Sequence, residues 1–165
     1  MVRKIGDGLQ IVLLGDTTHH EPVSYEIRII PGSEPESTER QLLNLLTSGV
    51  DIAAAGGDGG MDSKYFWNFL NRNNINPIIK PDKNARDNTD CASRNMEVKI
   101  RNKIGYKKWS RRRRYGHRWP ATEGIFSAIK RIFGEQLLAK SEKGMLQEAA
   151  SKIWAYQRIK RYGEA

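Results

Sequence analysis

Two acidic residues stand in contexts that could support chemistry. Asp58 lies between two pairs of glycines in "GGDGG", directly after a short apolar stretch. Glu123 is a lone carboxylate between four arginines (residues 111–114) and the Lys130-Arg131 pair. Carboxylates can hold the divalent ions that assist phosphodiester cleavage, and neighbouring cations can hold the nucleic-acid backbone. Together, the two acids indicate a metal-dependent site that acts on a polyanion.

Each acid also has a simpler interpretation. A Gly-Asp-Gly sequence is typical of a flexible turn with a solvated acid. An acid in the first turn of a helix stabilises that helix by about 0.3–1 kcal/mol. On the helix that the pattern predicts over 122–133, Glu123 shares a polar face with Ser127 and Lys130. The opposite face is apolar and consists of Phe126, Ile129 and Phe133.

The histidine and cysteine content argues against two other kinds of site. His19 and His20 are adjacent in "DTTHHEP", a segment of turn composition, and no cysteine or third histidine is near them. Adjacent side chains on a turn rarely converge on one ion, so a histidine metal site is not favoured. Cys91 is the one cysteine, which excludes an internal disulfide and fits a reducing compartment.

Charge is distributed unevenly over the 165 residues. Residues 1–58 hold nine acids and four Lys/Arg, a net charge of −5, so the remainder carries +14 to reach the overall +9. The densest part runs from Arg94 to Arg118, with eleven Lys/Arg and only Glu97 opposing them. Four aromatic residues accompany these bases, namely Tyr106, Trp109, Tyr115 and Trp119. This mixture favours nucleic-acid binding through backbone contact and base stacking; the alternative is a solvated basic face or a disordered arm.

The periodicity predicts alternating strands and helices. Residues 9–14 and 23–30 are predicted to form the two strands of a hairpin, and 37–47 a helix capped by Ser37 with four leucines facing inward. A strand over 51–55, a helix capped by Asp62 or Ser63, and a strand over 75–81 follow. Helices are predicted over 122–133 and 142–161. The order β-β-α-β-α-β predicts a mixed α/β sheet flanked by helices.

Three segments resemble the catalytic domain of prokaryotic insertion-sequence DDE transposases. "AAAGGDGGMDSKYFWNFL" is similar to the segment with the family's second aspartate, and "NPIIKPDKNA" to the strand and basic loop after it. "YGHRWPATEGIFSAIKRIFGE" is similar to its Tyr-Arg-Glu-Lys signature, which falls on Tyr115, Arg118, Glu123 and Lys130. Four residues separate Arg118 from Glu123 where the signature has three. The resemblance covers roughly residues 50–135, and the first 50 residues resemble the family only loosely.

The resemblance implies an RNase H-like fold with three antiparallel strands followed by helices alternating with two more strands. It also implies strand cleavage and joining at transposon ends, with two Mg²⁺ (or Mn²⁺) ions held by two aspartates and one glutamate. Asp58 and Glu123 would be catalytic and metal-binding. The candidate DNA-binding residues are Lys107, Lys108, Arg111, Arg112, Arg113, Arg114, Tyr115, Arg118 and Lys130.

One element of the family pattern is not matched. The family's first aspartate lies on a first, central strand that usually precedes a segment like "MVRKIG", which stands here at residues 1–6. We therefore expect an N-terminally truncated or split product, inactive alone. Asp7 and Asp16 are the only early aspartates, and Asp16 is expected at the far end of the sheet from Asp58 and Glu123, which should lie together.

Further expectations complete this interpretation. Residues 1–135 would form the partial catalytic domain, including the basic segment 94–118, and 136–165 a C-terminal helical extension. The partners would be double-stranded DNA at transposon ends and a second copy or a complementing N-terminal fragment, with no membrane, in the cytoplasm near the nucleoid. The alternatives are a non-catalytic nucleic-acid-binding remnant, or a complete nuclease with Asp16 as third ligand.

Overall fold

The structure, a computed structural model, describes residues 2–5 and 9–163. Asp7 lies outside the described residues. The chain divides into two compact units. Unit 1 comprises residues 1–33 and 119–165, and unit 2 comprises residues 34–118.

Unit 1 contains a three-stranded antiparallel sheet. Its strands are β1 (Val2–Ile5), β2 (Leu9–Gly15) and β3 (Pro22–Arg28), in the order β1-β2-β3. β2 lies in the middle and its residues 9–13 are all buried. On one face, Leu9, Ile11 and Leu13 enter an apolar core. On the other, Gln10 bonds to both the amide and the carbonyl of Gly32, at 2.6 and 3.0 Å.

Two helices complete unit 1. α5 (Ile125–Phe133) follows a π-helical turn, Pro120–Gly124, and the chain then continues to α6 (Glu142–Gly163). The apolar core joins both helices to β2 and consists of Leu9, Ile11, Leu13, Ile125, Phe126, Ile129, Ala149, Ile153 and Tyr156. Apolar residues three and four positions apart line one side of a helix, which is why α5 and α6 pack on the sheet.

Unit 2 contains a two-stranded parallel sheet. β4 (Ala54–Gly57) pairs with β5 (Asn76–Ile79), and α2 (Lys64–Arg72) connects them, as a parallel pair requires. α1 (Glu34–Thr47) precedes β4. A 3-10 turn, Gly59–Met61, joins β4 to the segment before α2.

The basic segment of unit 2 is helical. α3 (Ala92–Ile104) and α4 (Tyr106–Arg112) are followed by a 3-10 turn, Tyr115–Arg118. The sequence patterns predicted no elements in 94–118 and left a disordered arm as an alternative. The structure contradicts that alternative because this segment buries Arg94, Glu97, Val98, Trp109 and Tyr115.

The predicted strands and helices are present, but some of their first and last residues differ from the predicted ones. The hairpin of 9–14 and 23–30 is confirmed as β2 and β3, but β1 was not predicted. The predicted Ser37 cap is wrong, since α1 begins at Glu34 and Ser37 is buried within it; Leu43 is 48% exposed rather than inward. The strand predicted at 51–55 lies at 54–57.

The α/β class is confirmed, but the described strands form two separate sheets and not the one mixed sheet that the order of elements predicted. The RNase H-like arrangement, the absent first strand and the division at residues 135 and 136 stay predictions. The two compact units follow a different division, because α6 contributes to the same core as β2. Among the described residues, no helix has the length and apolar character needed to span a membrane.

Candidate metal and DNA site

Asp58 is placed by the turn that follows β4. Its side chain caps the 3-10 turn, with Oδ1 accepting a hydrogen bond from the Gly60 amide at 2.9 Å. Gly57 makes the tight turn possible, because a β-carbon there would lie 2.7 Å from the Met61 side chain. The close packing of Gly57 and the hydrogen bond from Gly60 therefore shape this turn. They hold a half-buried carboxylate at the carboxyl end of a parallel strand.

A second carboxylate approaches Asp58. A β-carbon built on Gly60 would lie 3.2 Å from Asp58 Oδ1 and 3.7 Å from Glu34 Oε2, so both acids border the same small space. Burial raises the pKa of the Glu34 carboxyl above its ordinary value, and the charge of Asp58 adds to the rise. Glu34 is thus an acid beside Asp58 that no sequence pattern singled out.

Tyr115 and Arg118 lie in the same unit as Asp58. Tyr115 is 2% exposed, and its hydroxyl has no hydrogen-bond partner in the described part of the chain. The Arg118 guanidinium lies over the Tyr115 ring, 4.4 Å from its centroid. Burial raises the pKa of Tyr115 to about 12, with Arg118 acting in the opposite direction and Asp58 adding to the rise. The DNA-positioning role of these two residues stays a prediction.

The arginines of the basic segment fall into two groups. Arg113 Nε donates to Glu97 Oε1 at 2.7 Å, its Nη2 pairs with Oε2, and the Trp109 indole also donates to Glu97. Arg94 makes a bidentate pair with Asp62, at 2.8 and 2.7 Å. Both acids are almost fully buried. Arg94 and Arg113 therefore hold unit 2 together.

The other candidate cations of the segment face solvent. The exposed set is Lys107, Lys108, Arg111, Arg112 and Arg114. Within residues 2–5 and 9–163, none of these five forms an ion pair with a carboxylate. Arg114 adopts a left-handed backbone conformation with φ of 52°, which ends α4 sharply. The free positive charge of the segment is concentrated on α4 and the turn after it.

Glu123 belongs to unit 1 and is half-buried in the π-helical turn before α5. The wide turn is closed by the Gly124 amide, which donates to the Trp119 carbonyl at 3.0 Å. β2 packs tightly on this turn, since a β-carbon on Gly15 would lie 1.8 Å from the Ala121 carbonyl oxygen. Helix α5 then buries Phe126 and Ile129, as predicted.

Two other residues from the sequence analysis, Lys130 and Asp16, interact with residues near them in the chain. Lys130, on α5, forms an ion pair with Glu135. Asp16 organises the turn between β2 and β3, accepting from the Thr18 amide at 2.8 Å and bonding to His19 Nδ1 at 2.5 Å. Burial alone would raise the pKa of Asp16, but these hydrogen bonds outweigh it and hold the pKa below its ordinary value. Asp16 has a structural task in the hairpin.

The donors available to a cation are oxygens, the type that Mg²⁺ prefers. Asp58 and Glu34 border one space in unit 2, and Glu123 belongs to unit 1. Over the described ranges, no three His, Cys, Asp or Glu side chains are grouped in a way that could hold a metal ion. The convergence of Asp58 with Glu123 and the remoteness of Asp16 from both stay predictions.

Two structurally important acids were missed from sequence. Glu34 precedes the predicted start of the helix at Ser37, so its position as the first residue of α1 was not foreseen. Asp62 was assigned as a possible helix cap, but it accepts hydrogen bonds from Arg94, the Trp67 indole and the Asp82 amide. No sequence signal pairs Asp62 with Arg94, because 32 residues separate them.

Comparison with known proteins identifies the family. The family model described as a transposase DDE domain matches residues 6–157. The chain therefore belongs to the transposase DDE domain family. A search of curated proteins and a search of solved structures found no match.

The family match extends the resemblance seen in the sequence. It begins near the start of the chain, whereas the quoted motifs covered only about residues 50–135, and it includes most of α6. Membership implies a function in DNA transposition and a DNA substrate, and the family generally uses divalent metal ions.

Proposed function

We propose that this chain is the catalytic region of a prokaryotic DNA transposase, with Asp58 and Glu123 as ligands for divalent ions at a transposon end. The observation that carries the proposal is the set of contacts around the Asp58 carboxylate. One of its oxygens is fixed by the Gly60 amide, and a second carboxylate, Glu34, borders the same space. Two nearby carboxylates repel each other, and a divalent cation would relieve that repulsion.

The proposed site residues have two functions, metal binding and DNA binding. Asp58 and Glu123 would supply carboxylate oxygens to Mg²⁺ or Mn²⁺, which activates the attacking oxygen and stabilises the leaving one when bound. The five exposed cations of α4 and its following turn would bind the phosphate backbone. In the family resemblance, Tyr115, Arg118 and Lys130 position the transposon-end DNA, and Arg118 is already ordered against the Tyr115 ring.

The chain alone is expected to bind DNA without cutting it. The family resemblance assigns three carboxylates to the metal ions, and in this sequence only Asp58 and Glu123 match them. Each ion needs several oxygen ligands in a defined geometry, so two ligands would hold the pair of ions poorly. Cleavage by the chain with Mn²⁺, lost in Asp58→Asn, would contradict this part of the proposal.

Metal binding can be tested directly by titrating the chain with Mn²⁺ and measuring free ion by electron paramagnetic resonance. Asp58→Asn is expected to weaken the tightest site at least about tenfold, in keeping with the loss of a carboxylate ligand. Asp51→Asn is the matched control, because Asp51 is exposed just before β4. Equal Mn²⁺ affinity in wild type, Asp58→Asn and Asp51→Asn would exclude Asp58 as a ligand.

DNA binding should depend on the exposed cations. Replacing Lys107, Lys108, Arg111, Arg112 and Arg114 by glutamine should reduce the slope of log affinity against log salt by about 0.9 for each phosphate that is no longer neutralised. Arg113 is left intact because it holds Glu97. Arg72→Gln, an exposed charge on α2, is the control. An unchanged slope would mean that the segment is a solvated surface.

A second candidate is a non-catalytic nucleic-acid-binding protein. The exposed cations of α4 favour it, because they can bind DNA whether or not the chain cleaves it. Salt-sensitive DNA binding with no Mn²⁺ site at Asp58 would support this alternative over the transposase reaction.

A further inference from the structure

The outer face of α6 combines aromatic rings with arginines. Trp154, Arg158 and Tyr162 follow one another at intervals of four residues and therefore lie on one side of the helix. All three are exposed, and Trp154 and Tyr162 are 54% and 78% accessible. The opposite side of α6 buries Ala149, Ile153 and Tyr156 in the core of unit 1. The exposed side is not needed for that packing.

The face is also ordered and positively charged. The Arg158 guanidinium lies 5.2 Å from the centroid of the Trp154 ring, a cation–π contact that fixes the arginine beside an open aromatic surface. Arg161 adjoins the face with its side chain 63% exposed, and Glu21 is 4.0 Å away at the limit of an ion pair. From residue 149 to residue 163 the sequence contains no acid.

These features indicate which kind of molecule binds to this face of α6. Tryptophan, tyrosine and arginine also occur at protein interfaces, but a symmetric contact with a second copy would place Arg158 and Arg161 against the same arginines, with no acid between residues 149 and 163 to offset them. Phosphates are attracted by the arginines, and bases or sugars can lie on the rings. An acidic protein surface could also contact the arginines and rings, and we favour DNA because the chain belongs to a family that acts on DNA.

We propose that the Trp154–Arg158–Tyr162 face of α6 is a second DNA-contacting surface, in addition to the exposed cations of the basic segment. This inference rests on the proposed function in DNA transposition. Its ligand is a DNA strand, with phosphates at Arg158 and Arg161 and a base or sugar against Trp154 or Tyr162.

The test uses the intrinsic fluorescence of the whole chain. Of its four tryptophans, Trp67 and Trp109 are buried, whereas Trp119 and Trp154 are exposed. In a Trp119→Phe background, Trp154 is the one tryptophan open to an added quencher such as acrylamide. A duplex oligonucleotide is expected to protect Trp154 from the quencher, and a single strand of the same sequence shows whether an unpaired strand protects it better.

Binding measurements on variants give the second readout. Trp154→Ala should weaken DNA binding roughly 5- to 100-fold if a base stacks on the ring, and Arg158→Gln should lower the salt slope by about one. Lys140→Gln, an exposed charge in the segment before α6, should change neither. Circular dichroism melts should be unchanged, since the three altered side chains are exposed.

The outcomes separate this inference from the function on which it rests. If the wild-type chain binds no DNA, both fail. If it binds DNA through the basic segment but Trp154→Ala and Arg158→Gln bind equally well and Trp154 stays open to quencher, only the α6 surface is overturned. Sedimentation provides one more result against it, namely a wild-type dimer that Trp154→Ala converts to a monomer with unchanged DNA affinity.

Discussion

Units 1 and 2 are stabilised by different kinds of buried side chain. Unit 1 has a continuous apolar core in which β2 meets α5 and α6. Unit 2 also buries apolar residues, but it encloses two acids, Asp62 and Glu97, each paired with an arginine. Burying charges is costly unless they are paired and hydrogen-bonded. The basic segment of unit 2 is therefore partly a structural element and not only a surface for DNA.

This difference changes how the basic segment should be interpreted. Of its eleven Lys/Arg residues, Arg94 and Arg113 form internal ion pairs with Asp62 and Glu97. Replacing a whole run of arginines would combine two effects, loss of DNA binding and loss of unit 2 stability. Variants that change one buried group at a time separate these two effects and test whether the units differ in what stabilises them.

The largest effect is expected from Asp62→Asn. The Asp62 side chain is 1% exposed and accepts two of the three hydrogen bonds that the Arg94 guanidinium donates, together with those of the Trp67 indole and the Asp82 amide. Removing its charge leaves Arg94 buried without a counter-ion, which costs about 3–5 kcal/mol. Urea denaturation would measure the loss, and hydrogen exchange should show it over residues 34–118.

The control for this change is Asp90→Asn. Asp90 is exposed and pairs with Lys64 at 3.3 Å, so its loss should cost about 0–1 kcal/mol. If Asp62→Asn and Asp90→Asn unfold at the same urea concentration, the buried ion pair does not stabilise unit 2 and the contrast between the units fails.

A smaller effect is expected at alkaline pH, from Tyr115. Its pKa is raised to about 12 in the folded chain, against about 10 in the unfolded one. The unfolded chain then loses its proton first, so this contribution to stability is complete below pH 10 and is lost as pH rises towards 12. Two pKa units correspond to about 2–3 kcal/mol.

The variant Tyr115→Phe tests whether the Tyr115 hydroxyl causes this loss of stability at alkaline pH. Because the hydroxyl has no hydrogen-bond partner among the described residues, the variant should be about as stable as wild type at pH 7 and lose less stability between pH 10 and 12. Thermal melts across that range would show it. A large loss of stability at pH 7 would mean that the hydroxyl has a partner, and that unit 2 relies on it.

In unit 1 the corresponding test concerns packing rather than charge. Gly15→Ala would place a β-carbon against the Ala121 carbonyl oxygen, so β2 and the π-helical turn must move apart. Such overpacking costs about 1–3 kcal/mol, and we expect faster hydrogen exchange in 120–124, the turn that holds Glu123. Gly116→Ala, where a β-carbon has open space, is the control. Equal exchange in the two variants would show that Gly15 does not position this turn.

Local patterns in the sequence correctly predicted the order of most strands and helices. Alternation in "VSYEIRII" and the apolar run before it led to β2 and β3, and the spacing of Phe126 and Ile129 led to the buried side of α5, because strand and helix periods are local properties. The motif around Asp58 and Glu123 led to the family. Local patterns could not place β1, whose four residues VRKI form a strand through pairing with β2.

Local patterns did not reveal which charged residues are internal. In the sequence, Arg113 is one of four identical neighbours, and Asp62 is one of several acids near a helix start. The fold brings Arg113 to Glu97 and Arg94 to Asp62 across 16 and 32 residues, and it brings Glu34 to the space beside Asp58. Residue type and periodicity report on neighbours along a chain, whereas the environment of a charge depends on contacts between distant segments, which only the packed chain defines.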